Sequence, residues 1–229
     1  MTVTTTETVA AQGAAADFTA MRHAMVSSQL RTTAVSDPRV VAAMATVARE
    51  AFVPASATAI AYRDTPVSLG HGRWLNTPLA TGRLLTEAQL VRDDRVLLIG
   101  AATGYAAAVL VEMGAMVTAV EEHPALAAAA RTALSGIAAV TLVEGPLTAG
   151  APEHAPFDVL MVDGAVEQLP DALVAQVRPE GRIVTGLVDN GLTRLATGRR
   201  SAHGAGLLPF ADHECVPLPG FARPQAFRF

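Results

Sequence analysis

The chain has little cysteine, few aromatic residues and no cluster of basic residues. Its 229 residues include one cysteine, Cys215, which excludes an internal disulfide and leaves no cysteine cluster for zinc. Lysine and arginine number 17 against 21 acidic residues, giving a net charge of -4. We therefore expect no attraction to nucleic acid or to an anionic membrane through long-range charge.

Long hydrophobic runs are also missing, although 51% of the residues are hydrophobic. No uncharged apolar stretch reaches the roughly 18 residues that a membrane-spanning helix needs. The start, MTVTTTETVAAQG, lacks the basic residues and continuous apolar core of a signal peptide. The absence of a signal peptide and of a membrane span predicts a cytoplasmic protein. Residues 1–16 carry little pattern and are predicted to be a flexible N-terminus. The chain length suits a single domain, over residues 17–229.

The most informative stretch is Asp94–Tyr105, DRVLLIGAATGY. Val96–Ile99 is an apolar run without alternation, which predicts a strand that is buried on both faces. The small residues Gly100–Gly104 then form a turn, and Tyr105–Met113 is predicted to be a helix. A strand, a glycine turn and a helix in this order are typical of the opening unit of a doubly wound nucleotide-binding sheet.

A carboxylate ends the next apolar run. Met116–Val120 predicts a second strand, and Glu121 follows it, 17 residues after Gly104. Because parallel neighbouring strands end at the same edge of a sheet, Glu121 can accept hydrogen bonds from a ribose diol there. The turn is too short to supply amides for several phosphates. The turn has room for an adenosyl ligand, and we therefore predict an adenosyl site between the turn and Glu121, for S-adenosylmethionine.

The remaining pattern predicts an α/β fold with a mostly parallel sheet of about seven strands and helices on both faces. Residues 17–90 are expected to form a helical N-terminal cap and residues 91–229 the cofactor-binding sheet. Helices are predicted over residues 17–31, 38–51, 78–90, 105–113, 124–134 and 170–177. Strands are predicted over residues 96–99, 116–120, 140–143, 159–162, 181–185, 193–197, 206–209 and 214–217. Residues 59–76 are expected to form a loop.

Several segments together carry a family resemblance. The chain resembles protein-L-isoaspartate O-methyltransferases from about Met25 to Pro217. The matching segments are MVSSQLR (25–31), DPRVVAAMATVAREAFVP (37–54), AYRDTPVSLGHGRWLNTP (61–78), DRVLLIGAATGYAAAVL (94–110), PEHAPFDVLMVDGA (152–165) and LPDALVAQVRPEGRIV (169–184). The N-terminal helical segments and the Gly-His-Gly loop are not general features of Rossmann-like methyltransferases.

The resemblance implies a fold, a reaction and a set of site residues. It implies a Rossmann-like methyltransferase that uses S-adenosylmethionine to methylate isoaspartyl carboxylates in damaged proteins, a protein-repair reaction. The expected partner is a protein or peptide that carries a carboxylate, and no metal is expected. The cofactor-binding candidates are Gly100, Ala102, Thr103, Gly104, Tyr105, Glu121, Glu122 and Gly145. The catalytic candidates are Asn76, His71 and Asp163.

Several positions depart from the pattern of this family. Asn76 replaces the usual serine beside the transferred methyl, and it could orient a carboxylate through its amide donors. Leu98 removes a carboxylate that would pair with the cofactor's ammonium group, a loss of about 1.5–3 kcal/mol. Ala102 replaces the middle glycine of the turn, which costs about 1 kcal/mol if its φ is positive. Pro146 stands where a residue facing the adenine is usual, and it lacks a backbone donor.

Two alternative functions therefore remain open. The first is a methyltransferase for another peptide or for a small molecule, with Asp163 at the substrate side. The second is a degenerate, non-catalytic homologue that binds a nucleoside or a partner protein.

Overall fold

A computed structural model of the protein describes residues 17–223. The predicted flexible N-terminus, residues 1–16, lies outside the described residues. Within residues 17–223, no helix is both long enough and apolar enough to cross a membrane.

Over residues 17–223, six α-helices form close to the predicted positions. They are α1 (Phe18–Met25), α2 (Pro38–Thr46), α3 (Pro78–Glu87), α4 (Tyr105–Glu112), α5 (Pro124–Ala133) and α6 (Asp171–Val174). The first begins at a side-chain cap, since Asp17 Oδ1 accepts a hydrogen bond from the backbone of Ala20 at 2.9 Å. A π-helical turn, Val26–Leu30, continues α1 toward the predicted end. The helix predicted over residues 170–177 is shorter than expected, because the chain enters the next strand at Val177.

Within the described part of the chain, nine strands form two sheets. The strands are β1 (Val67–Gly70), β2 (Arg73–Leu75), β3 (Arg95–Ile99), β4 (Met116–Glu121), β5 (Val140–Glu144), β6 (Phe157–Val166), β7 (Val177–Asp189), β8 (Leu192–Ser201) and β9 (Gly204–Asp212). The large sheet has the order β5-β4-β3-β6-β7-β8-β9. Its first five strands are parallel and the last two are antiparallel. This confirms the predicted α/β fold with a mostly parallel, seven-stranded sheet.

The strand order places a crevice beside β3. From β3 the chain runs outward through β4 and β5, and it then returns to the other side of β3 as β6. A crevice therefore opens between the carboxyl ends of β3 and β6, where ligands bind in open sheets of this kind. Gly100 follows β3, and Asp163 lies in the last part of β6.

The two faces of the sheet are covered unequally. Val96 and Leu98 point to a large core beneath α2, α3 and α4, whereas Leu97 and Ile99 point to a smaller core on the opposite face. That smaller core is closed by the short helix α6 and by residues near the C-terminus, including Leu218. Helices thus lie on both faces, but the second face depends on non-helical chain for its cover.

Two local predictions are wrong. The loop predicted over residues 59–76 contains the antiparallel hairpin of β1 and β2, because positive φ angles at Gly70, His71 and Gly72 (78°, 55° and 70°) turn the chain back on itself. The strand predicted over residues 214–217 is only an isolated bridge between Ala165 and Pro217. Pro217 has no N–H group to extend a ladder.

Candidate functional site

The glycine turn after β3 adopts a left-handed conformation at three residues. The φ angles are +81° at Gly100, +51° at Ala102 and +100° at Gly104. Ala102 therefore carries the strain of about 1–2 kcal/mol that an L-residue with a side chain meets in this region. Its backbone N–H donates a 2.7 Å hydrogen bond to Glu121 Oε2, which helps to hold it there.

Glu121 is fully buried, and donors from the chain itself occupy both of its oxygens. Oε2 accepts from Ala102, while Oε1 accepts from the backbone of His123 at 3.0 Å and from Arg73 Nη1 at 2.6 Å. The Arg73 side chain is itself only 4% exposed. Arg73 thus approaches the carboxylate at the place where a ribose diol was expected.

Leu218 fills the crevice between β3 and β6. A Cβ atom placed on Gly100 would lie 2.9 Å from Leu218 Cδ1, and one placed on Gly164 would lie 2.9 Å from Leu218 Cδ2. The two glycines therefore leave just enough room for this leucine. In this structure an internal ion pair and an apolar side chain occupy the space in which the adenosyl ligand was predicted to bind.

Asn76 and Asp163 come together, as expected for candidates at one sheet edge, but both are buried. Asn76 Nδ2 donates to Asp163 Oδ1 at 3.0 Å, and Asn76 Oδ1 accepts from the backbone of Val216 at 3.0 Å. Burial raises the pKa of Asp163, and the hydrogen bond from Asn76 opposes this rise. Asn76 therefore links β6 to the C-terminal residues and, in this conformation, has no access to a substrate.

Beneath this pair lies Arg49, a fully buried arginine that the sequence reasoning missed. Its Nε donates to the carbonyl of Ala61 at 2.7 Å, its Nη2 donates to the carbonyl of Asn76, and its guanidinium lies 4.7 Å from the Tyr105 ring centroid. Arg49 Nη1 and the Tyr105 hydroxyl find no hydrogen-bond partner among residues 17–223. Burial lowers the pKa of Arg49 and raises that of Tyr105.

His71 is separated from the other catalytic candidates. It lies exposed at the tip of the β1–β2 hairpin, with its ring stacked on His123 at a centroid distance of 4.0 Å. Thr103 Oγ1 donates to the carbonyl of Phe52 at 2.6 Å, which ties the turn to the N-terminal part of the chain.

The last two cofactor candidates lie just beyond β4 and β5. The backbone N–H of Gly145 donates to the carbonyl of Glu121 at 3.1 Å, and Glu122 is half-buried. Among the residues that the structure describes, no group of three or more His, Cys, Asp or Glu side chains could hold a metal ion.

Arg73 and Leu218 are the other residues that the sequence reasoning missed. Arg73 directly follows the Gly-His-Gly loop that carries part of the family resemblance. This position could have indicated that Arg73 lies near the site. Leu218 lies in a proline-rich stretch with no periodicity, so no local pattern indicates that it reaches the crevice.

The chain is similar to known proteins in sequence and in fold. The family model described as "Protein-L-isoaspartate(D-aspartate) O-methyltransferase" matches residues 20–207. A protein-L-isoaspartate O-methyltransferase of Methylorubrum extorquens is 40% identical over 199 residues, covering 86% of this chain and 87% of the relative. One from Methylorubrum populi is 40% identical over 201 residues, covering 87% and 95%.

Solved structures agree at the level of the fold. A protein-L-isoaspartate O-methyltransferase structure aligns with a TM-score of 0.76 at 22% identity, covering 87% of this chain and 66% of its own. A beta-aspartate methyltransferase from Plasmodium falciparum, in complex with S-adenosyl-L-homocysteine, aligns with a TM-score of 0.70 at 18% identity, covering 86% and 97%.

Proposed function

The chain belongs to the protein-L-isoaspartate O-methyltransferase family, and on this premise we propose that it is an S-adenosylmethionine-dependent carboxyl O-methyltransferase. Its substrate is an isoaspartyl carboxylate in a damaged protein or peptide. The observation that carries the proposal is the family match over residues 20–207, on a fold that brings the Gly100–Gly104 turn, Glu121 and Asp163 to one sheet edge.

The residues of the site have the chemical groups that the cofactor needs, but the described conformation leaves no room for it. S-adenosylmethionine supplies the methyl group when it is bound. Glu121 offers a carboxylate for the ribose, and the turn offers close backbone approach at Gly100. Arg73 and Leu218 fill this space in the described conformation, so both side chains have to withdraw before an adenosyl ligand fits.

The substrate side needs alignment more than a strong base. A carboxylate is already ionised at neutral pH, so the enzyme has to orient it and exclude water. We assign the orienting role to Asn76, whose amide can donate to a carboxylate once it is released from Asp163.

The filled crevice favours a second candidate function. A chain that uses its own side chains to satisfy Glu121 could be a non-catalytic homologue that binds a partner protein. The departures at Leu98 and Pro146 point the same way, since each removes a group that would face the cofactor.

A methanol-release assay separates the two candidates. The protein is incubated with S-adenosylmethionine and an isoaspartyl peptide, and the methyl ester is then hydrolysed in base. We expect methanol from this peptide and none from the matched peptide with an ordinary aspartate. The absence of methanol from both, together with no calorimetric binding of S-adenosylmethionine at millimolar concentration, would contradict the enzyme proposal and support the second candidate.

A further inference from the structure

Arg73 occupies the ribose position of the adenosyl site. Its Nη1 donates to Glu121 at 2.6 Å, as a ribose hydroxyl would. Its Nη2 is buried, and no described residue of the chain accepts a hydrogen bond from it. Arg73 therefore completes the hydrogen bonds of the Glu121 carboxylate, but one of its own buried nitrogens lacks an acceptor. In a permanent structural ion pair, both partners usually have their hydrogen bonds made.

Leu218 is held in the crevice by a few hydrogen bonds, two of them to β6 and others to the side chains of Asn76 and Thr193. We name residues 215–221 the C-terminal segment. Ala165 N donates to the Val216 carbonyl at 2.7 Å, and Leu218 N donates to the Ala165 carbonyl at 2.9 Å. Asn76 Oδ1 accepts from the backbone of Val216. The segment forms no ladder beyond the isolated bridge at Pro217, so it can leave β6 without unpairing a strand.

Space for such a movement lies beside the C-terminal segment. A cavity of about 310 Å³ is lined by Pro66, Trp74 and residues 214–217. Trp74 is 48% exposed and directly follows Arg73 in β2. The hairpin that carries Arg73 and the segment that carries Leu218 thus face each other across this cavity, and one outward shift could release both side chains.

We propose that the chain gates its own cofactor site, with Arg73 and Leu218 as internal stand-ins that an adenosyl ligand has to displace. This gate rests on the proposed function, because the same site is taken to bind S-adenosylmethionine. In the closed state Arg73 satisfies Glu121 and Leu218 fills the apolar crevice. Ligand affinity is then reduced by the fraction of molecules that are open.

Calorimetry with S-adenosylhomocysteine tests the gate. Leu218→Ala empties the crevice, and Arg73→Gln removes the competitor while Glu121 keeps its two backbone donors. We expect each variant to bind the ligand at least about tenfold more tightly than the wild type, since each raises the open fraction. The matched controls Leu208→Ala and Arg194→Gln change an exposed leucine and an exposed, ion-paired arginine, and they should bind as the wild type does.

The outcomes distinguish failure of the gate from failure of the function. Equal affinity of the wild type and both variants would overturn the gate and leave the proposed function standing. No binding by any of these proteins at millimolar ligand would overturn both.

If a variant does not fold, labelling of the wild type answers the question. Cys215 is the only thiol and is 1% exposed at the start of the C-terminal segment. We expect S-adenosylhomocysteine to accelerate its alkylation, because release of the C-terminal segment would break the hydrogen bonds that hold Cys215 beside Asn76 and Thr193. A rate that is unchanged or slower with ligand would contradict the gate.

Discussion

At Glu121, a carboxylate with no solvent contact is stabilised by two backbone donors and one arginine. Taking two charges out of water costs several kcal/mol per ion, and the pair is retained only if its hydrogen bonds are well made. The geometry at Glu121 meets this condition on the carboxylate side. At Arg73 it does not, since Nη2 finds no partner within residues 17–223.

Glu121→Gln should destabilise the protein strongly. The change leaves the Arg73 guanidinium buried without a counter-charge, so we expect the free energy of unfolding to fall by about 3–5 kcal/mol. The control is Glu144→Gln, which breaks an exposed pair with Arg131 and should cost about 0–1 kcal/mol. Urea denaturation of both variants measures the difference, and equal losses would show that the Arg73 pair is not buried as described.

Asp163 should make stability depend on pH. Burial raises its pKa in the folded protein, so the folded state holds the proton more tightly than the unfolded chain does. This contribution is fully present below the unfolded pKa of about 3.9 and is lost as pH rises through the higher folded value. Asp163→Asn has no carboxyl to titrate and should lack this loss.

Urea denaturation at a series of pH values measures this effect. We expect the wild type to lose stability relative to Asp163→Asn as pH rises above about 4. A constant difference between the two proteins, or one of the opposite sign, would contradict the raised pKa.

At the scale of single elements, α1 is anchored to the rest of the N-terminal region through one arginine. Arg22 Nε donates to the Tyr62 hydroxyl at 2.8 Å, and its Nη2 lies 3.1 Å from Glu50 Oε1. Tyr62 in turn donates to the Glu50 carboxylate. Burial is the largest effect on the Tyr62 hydroxyl and raises its pKa to about 12.

The burial of Tyr62 and Tyr105 predicts that neither tyrosine of the folded protein ionises at the usual pH of about 10. The chain has two tyrosines, Tyr62 and Tyr105, and burial raises the pKa of both. Since the folded pKa lies above the unfolded value of about 10, stability should be lost as pH rises from about 10 through about 12. Tyrosinate absorbance measures the titration. Ionisation of one tyrosine near pH 10 in the folded protein would refute the described burial.

Local sequence patterns correctly predicted the elements that are determined by nearby residues. The apolar run Val96–Ile99 followed by Gly100–Gly104 predicted β3, the turn and α4, and Glu121 was placed at the correct strand end. The β1–β2 hairpin was missed because its turn needs a positive φ at His71, which a histidine adopts only in a suitable tertiary setting. Leu218 was missed because its partners, Gly100 and Gly164, are distant in sequence.

For the candidate site, the sequence predicted where the residues lie in the fold but not whether a ligand can reach them. Asn76, Asp163 and Glu121 all lie near the predicted sheet edge, yet none of them is more than 6% exposed. Access depends on which side chains fill a crevice, and this is decided by long-range packing that no periodicity encodes.

At the scale of the whole molecule, the same residues complete the core and close the site. Leu218 and Phe221 belong to the smaller core on the second face of the sheet, whose other cover is the short helix α6 and the chain around Leu147 and Ala151. Opening the crevice would expose this apolar surface to water, so the closed state is favoured while no ligand is bound. A bound adenosyl group would replace the lost contacts, which couples cofactor binding to the packing of the second face.

The most direct test of this account is a crystal structure determined with S-adenosylhomocysteine. We expect density for the ligand between Gly100 and Glu121, with its ribose hydroxyls on the Glu121 carboxylate, Arg73 withdrawn and Leu218 outside the crevice. Ligand density elsewhere on the protein, with Arg73 Nη1 still 2.6 Å from Glu121 Oε1, would contradict it.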